Sequence, residues 1–267
     1  MLRDITLGQY YQTDSVIHRL DPRVKLVVTI CYIVSLFIVD SLIGYAIAGL
    51  FLVLVIKCSR VPFRFMIRGM KAIMFLLIIA VVFNLFLTPG EAIFSFWKLT
   101  ITKEGVRQAV FMAIRLSFLI MGSSVMTLTT TPNNLTDGME SLMKPLKVFR
   151  VPVHEIAMMM SIALRFIPIL LEETDKIMKA QIARGADFES GNLVKKAKSL
   201  IPLLVPLFIS AFRRANDLAM AMEARCYRGG EHRTKMKPLI YKRRDGMAYA
   251  AVIFYLGLCI GIGKILF

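Results

Sequence analysis

Apolar residues fall in long blocks along this chain, separated by short polar or basic stretches. A helix needs about 20 mostly apolar residues to cross a bilayer. Blocks at 24–39, 41–57, 69–88, 106–129 and about 247–267 predict five spans. Asp40 and Ser41 mark the only break between the first two, which predicts a tight helical hairpin. Between the fourth and fifth blocks the pattern changes, and apolar residues alternate with regularly placed charges.

That interval reads as amphipathic helices. Thr130-Thr131-Pro132-Asn133-Asn134 stops the fourth span and caps the next helix. Leu135 to Phe149 predicts a short helix broken at Pro145. Val151-Pro152 then opens a long helix to about Arg184, because proline is tolerated in a first turn. Its apolar residues Ile156, Met159, Met160, Ala163, Ile167, Leu170 and Leu171 keep helical spacing, and Pro168 is expected to kink it. A turn at Phe188–Asn192 precedes a second helix from about Leu193 to Arg225, with Pro202 and Pro206 inside it. Each helix has about 33 residues, so roughly 50 Å of length. Crossing in opposed directions would hold their C-terminal tips tens of ångströms apart.

Composition agrees with a bilayer protein: 57% of residues are hydrophobic and the mean hydropathy is +0.64. The net charge of +16 belongs to loops beside anionic lipid rather than to a nucleic-acid surface. Arg3, Arg19, Arg23 and Lys25 precede or open the first span. Lys57, Arg60, Arg64, Arg68 and Lys71 lie between the second and third. The stretch 131–245 carries 20 Lys/Arg against 12 Asp/Glu. Positive loops stay inside, so the N-terminus and 131–245 are expected in the cytoplasm and the C-terminus outside. The N-terminal stretch shows no secretory-signal pattern, and insertion is expected to use the spans themselves. The apolar run Leu200–Ile209 is short for a span and holds two prolines. Counting it as a span would export the basic residues after it, so it reads as a buried or interfacial helix segment.

The fold class is therefore an all-α membrane protein in three parts. These are 1–130 with four transmembrane helices, a cytoplasmic region of long amphipathic helices over 131–245, and a final span over 246–267.

The chain shows little that could carry catalysis. Cys31, Cys58, Cys226 and Cys259 are scattered, with neither a CxxC pair nor a disulfide framework. Glu172, Glu173 and Asp175 have no His at ligand spacing and read as a solvated or Arg-paired helix face. There is no Walker motif, Gly-rich phosphate loop or nucleophile elbow, so no catalytic residue, metal or cofactor is expected. Arg115, inside the fourth span, is a functional candidate by default, and Asn84 in the third a weaker one. Of 17 methionines, Met158, Met159 and Met160 cluster. They suit an adaptable partner platform or ordinary apolar filler.

One phrase occurs twice. Ala180-Gln-Ile-Ala-Arg184-Gly185 returns 41 residues later as Ala221-Met-Glu-Ala-Arg225-Cys226. Each copy ends a long helix with an arginine followed by a small residue, and Ala183 and Ala224 leave room for close approach. A basic residue suits the negative end of a helix dipole, and that alone often explains one. The duplication argues for more: a part that grips two separate protein surfaces.

In order and spacing, Leu20-Asp-Pro-Arg-Val-Lys-Leu26, Pro145-Leu-Lys with Val151-Pro152, Arg165-Phe-Ile-Pro168 and Ala180-Gln-Ile-Ala-Arg-Gly185 resemble the transmembrane T component of energy-coupling factor (ECF) transporters. These are modular ABC importers of vitamins and transition-metal ions. The resemblance covers most of the chain. It implies a multi-pass protein of a prokaryotic plasma membrane whose two crossing coupling helices dock by their tips into two ATP-binding cassette ATPase subunits, identical or not. Ala183, Arg184, Gly185, Ala224, Arg225 and Cys226 would be the docking residues, with Cys226 departing from the commoner glycine. It also implies a small membrane-embedded substrate-binding S component, which chooses the substrate. A self-sufficient secondary transporter or an intramembrane enzyme is the alternative. The first would show repeats within the spans, and the second a convergent polar cluster there.

Overall fold

The computed structural model describes residues 10–96, 99–186, 188, 192, 194, 198–230 and 236–265. They form two compact units, Gly8–Ser141 with Leu239–Phe267, and Leu142–Pro238.

The first unit is a helical bundle. Helix α1 (Pro22–Ile38) starts because Asp21 caps it, its carboxylate accepting from the Arg23 N–H with Pro22 in the first turn. It stops at Val39 in extended backbone, and α2 (Leu42–Ser59) starts after Ser41, whose Oγ accepts from Gly44 N–H at 3.1 Å. The expected hairpin is therefore present. Helix α3 (Phe63–Leu87) is followed by an antiparallel hairpin of β1 (Ala92–Phe96) and β2 (Leu99–Thr102). This hairpin is an addition to the otherwise all-helical architecture expected. Thr102 caps α4 (Lys103–Thr129), accepting from Gly105 N–H at 3.0 Å while donating to the Thr88 carbonyl at 2.9 Å. Helix α5 (Pro132–Met143) begins behind Thr131, whose Oγ1 accepts from Asn134 N–H, as the capping phrase predicts.

Helix α4 packs against α1, α2 and α3, and the last helix, α8 (Arg243–Ile265), packs against α1 and α2. Tyr32, Leu36, Tyr45, Ala48, Leu52, Tyr255 and Cys259 form the core between them. Gly122 of α4 sits against the Tyr32 ring, where a Cβ would lie 2.8 Å from the ring. Such small residues let transmembrane helices approach closely. Ser35 and Tyr255 join their hydroxyls at 2.7 Å, and Phe51 stacks on Tyr255 with ring centroids 4.4 Å apart. The outward faces carry Phe75, Leu76, Phe83, Leu87, Ile253 and Phe254, as a bilayer requires.

Among the described residues four helices are long and apolar enough to cross a membrane: Leu42–Ser59, Lys103–Thr129, Val153–Ala183 and Arg243–Gly261. The first two and the last coincide with expected spans. Helix α1 has 17 residues. Helix α3 has 25 residues, and among the described residues its apolar stretch is Ile73–Leu87. The third, Val153–Ala183, is the long helix expected in the cytoplasm. Its first turns hold few charges, Glu155 and Arg165 among them, and its charges gather from Glu172 onward.

A charge cluster pins the bundle. The Asp21 N–H donates to Asp245 Oδ1 at 2.9 Å, and Lys242 N–H to Asp245 Oδ2 at 2.8 Å. Arg23 pairs with Asp21 at 2.9 Å and lies 3.9 Å over the Tyr241 ring. Burial pushes the Asp21 carboxyl up, but hydrogen bonds from the Arg23 side chain and backbone, with the Arg23 and Lys25 charges, hold it below its ordinary value. The Leu-Asp-Pro-Arg phrase thus ties the start of α1 to the start of α8.

Candidate functional site

The second unit is built on two long helices, α6 (Val153–Ala183) and α7 (Ile201–Ala224). Before them, Lys144–Phe149 forms a 3-10 turn with Pro145 in its first turn, which is the break expected there. Helix α6 continues through Pro168. Residue 193, where the second helix is expected to begin, lies outside the described residues; α7 is continuous from Ile201.

The two helices run in opposed directions. Gln181 Nε2 donates to the Pro202 carbonyl at 3.3 Å, near the end of α6 and the start of α7. Eight residues earlier on α6, Glu173 accepts from Ser210 Oγ and from Arg214 Nη2, the latter at 2.7 Å. Advancing along α7 therefore means retreating along α6. The acidic face of α6 is thus in part an arginine-paired face, as the sequence suggests for Glu173.

Each helix ends in the same way. Arg184 occupies the C-cap with φ −87° and ψ 6°, and Arg225 with φ −92° and ψ 13°. The next residue turns left-handed in both: Gly185 at φ +87° and Cys226 at φ +58°. Gly185 N–H donates to Ile182 O at 2.9 Å and Ala186 N–H to Gln181 O at 3.0 Å. Cys226 N–H donates to Glu223 O at 2.8 Å and Tyr227 N–H to Met222 O at 3.0 Å. Both sets are Schellman motifs, which satisfy the last carbonyls of a helix. Glycine takes the left-handed position freely, whereas a residue with a Cβ does so at a cost of about 1–2 kcal/mol. Cys226 adopts it nonetheless, so the second tip copies the backbone of the first despite the changed residue. Ala183, Arg184, Gly185, Ala224, Arg225 and Cys226 are all exposed.

Arg184 lies 11 residues beyond Glu173, and Arg225 lies 11 beyond Arg214. At about 1.5 Å per residue each cap is about 16 Å from the bridge, on opposite sides of it. The two caps are therefore about 30 Å apart along the helix pair, too far for one small ligand to join.

Met159 and Met160 are exposed near the start of α6, while Met158 is half-buried. The apolar run marked in the sequence at 200–209 lies on α7, and most of it is not buried: Leu203 is covered, but Ile201, Leu204, Val205, Phe208, Ile209 and Phe212 form an exposed stripe. Their spacing of three and four is that of one helix face. The pattern is present in the run 200–209, but whether that face is covered depends on tertiary packing. Arg115 is not part of this unit. It donates from Nε to Tyr45 OH at 2.9 Å and pairs with Asp40 at 2.9 Å. Asn84 Nδ2 donates within its own helix, to the Ala80 carbonyl.

Residues 13–236 match a family described as cobalt transport protein. The chain is 55% identical over 250 residues to the energy-coupling factor transporter transmembrane protein EcfT of Thermosediminibacter oceani, which covers 94% of both chains. It is 57% identical to the protein of that name from Clostridium kluyveri over 93% of both chains. With the one from Bacillus subtilis it shares 44% identity over 263 residues, 96% of this chain and 99% of the relative. The chain belongs to the EcfT family. It is a transmembrane component of an energy-coupling factor transporter, a membrane protein, as the motif resemblance implies. In this EcfT-family chain, the two arginine caps stand out as a local structure repeated within one unit.

Proposed function

We propose that this EcfT-family chain is the non-catalytic coupling subunit of an ATP-driven importer. Its α6 and α7 transmit the motion of two ATPase subunits to a small substrate-binding S component in the bilayer. The observation that carries this reading is the matched pair of exposed arginine caps, alike in backbone and set about 30 Å apart on an antiparallel helix pair. An arginine offers a fixed charge and five donors to a carboxylate or carbonyl groove. Two such caps suit two nucleotide-binding subunits, each taking one tip. Docking is assigned to Ala183–Gly185 and Ala224–Cys226. The S component is assigned the apolar surface that includes Met159, Met160 and the α7 stripe. The cargo class is vitamins or related micronutrients, chosen by the S component.

The orientation proposed with it puts the N-terminus and the 131–245 region in the cytoplasm and the C-terminus outside, as the loop charges require. A membrane-impermeant maleimide tests this on Cys226, an exposed native cysteine. It should label in inverted vesicles and not in right-side-out ones. The functional reading is tested by purifying the chain from its own membranes. Two nucleotide-binding proteins and one small hydrophobic protein should accompany it in stable stoichiometry. Purification alone, with substrate transport by the isolated chain in vesicles, would overturn it.

A further inference from the structure

The turn between α5 and α6 bears apolar side chains with no cover. Val148 is 84% exposed and Phe149 77%. The turn is nonetheless held in one shape. Arg150 adopts φ +60°, its N–H donates to Lys147 O at 2.9 Å, and Val151 N–H reaches Leu146 O at 3.4 Å. Pro145 and Pro152 bracket it. Lys144, Lys147 and Arg150 alternate with these apolar residues and are exposed, and no Asp or Glu occurs from Ser141 to His154. A preformed turn that pairs two exposed apolar tips with three cations suits the headgroup–acyl boundary of an anionic leaflet. There the apolar tips are buried while each cation contributes about fivefold in affinity. A protein groove would need acidic residues placed to match all three charges, whereas anionic lipid supplies them without any matching.

We infer that Lys144–Arg150 is an interfacial anchor that inserts Val148 and Phe149 among anionic phospholipids. It tethers the start of α6 to the membrane surface as the rest of the helix moves. The inference rests on the proposed placement of this region beside the inner leaflet, but its test uses symmetric vesicles and does not depend on the ATPases or on orientation.

The full chain contains one tryptophan, Trp97. A Trp97→Phe background with Phe149→Trp places the sole indole at the turn. The variant is reconstituted in phosphatidylcholine vesicles with and without phosphatidylglycerol. Expected is blue-shifted emission, quenched by brominated lipid and shielded from aqueous acrylamide, both more strongly with phosphatidylglycerol. Adding Lys144→Gln, Lys147→Gln and Arg150→Gln should abolish the phosphatidylglycerol dependence and leave the fold's thermal midpoint close to its starting value. Red-shifted emission with free acrylamide access in both lipids would overturn the anchor. So would shielding that arises only when partner proteins are added, since the turn would then meet a protein surface. Equal quenching in both lipids, unchanged by the glutamine substitutions, would overturn its preference for anionic lipid.

Discussion

Glu173 and Arg214 are joined by a 2.7 Å ion pair and stand 41 residues apart, the same interval that separates Arg184 from Arg225. The bridge therefore links corresponding positions of the two repeated helices, and the pair has an approximate two-fold arrangement about it. Both side chains are partly exposed, so the pair alone is worth about 1 kcal/mol or less. Its role is to set register. Reversing one charge, by Glu173→Arg or Arg214→Glu, should lower the thermal midpoint and uncouple ATP hydrolysis from uptake. The double exchange should recover most of both. A double variant no better than the singles would assign the crossing to apolar packing instead.

The two arginine caps should act as a unit. Arg184→Ala or Arg225→Ala alone should weaken ATPase binding. If the guanidinium is buried in the partner, truncation typically costs about 2–5 kcal/mol. The double variant should release the ATPases on size-exclusion chromatography while the chain stays folded. Normal co-purification and transport in the double variant would refute the docking assignment.

Cys226 holds a left-handed conformation that glycine adopts at no steric cost. Cys226→Gly should stabilise the tip by about 1 kcal/mol and retain docking. Gly185→Ala should cost about as much at the first tip. Cys226→Val, a β-branched residue at positive φ, should abolish the cap. Melting curves of the purified chain, with ATPase binding alongside, read both effects.

Arg115 joins Tyr45 and Asp40 within the bundle, and the members differ in burial. Tyr45 is buried, whereas the Asp40 side chain is 76% exposed. Tyr45→Phe removes the acceptor on the buried side and should destabilise by about 1–3 kcal/mol. Asp40→Asn should cost at most about 1 kcal/mol. Thermal unfolding in detergent gives the order, and a larger effect at Asp40 would reverse it.

Asp21 should make the bundle acid-sensitive. Its folded carboxyl lies below the ordinary value of 3.8. The stability it adds is therefore complete above that value and is lost as pH falls through the lower folded value. Asp21→Asn should remove this acid-side slope in melting experiments without altering the neutral-pH slope.

Much of the architecture is legible in local pattern. Apolar blocks mark the helices, and capping residues mark their limits. Asp21, Ser41, Thr102 and Thr131 each cap the helix after them. The hairpin β1–β2 escapes such a reading, because short strands in a loop between two helices carry little periodicity. The tips are visible as a repeat, but Cys226 reads as a departure until its φ is set beside that of Gly185. Arg115 and Asp40 both stand out in the sequence, yet their pairing spans 75 residues and has no sequence signature.

Class, helix inventory, the charge contrast between loops and the duplicated arginine phrase all come from the order of residues. They obey short-range rules: hydrophobic length, capping chemistry and net loop charge. Folding in three dimensions was needed to decide that α6 and α7 run antiparallel, that Glu173 meets Arg214, and that the α7 apolar stripe is left open. Each depends on which surfaces meet after folding, and residues dozens of positions apart leave no local signal of that contact.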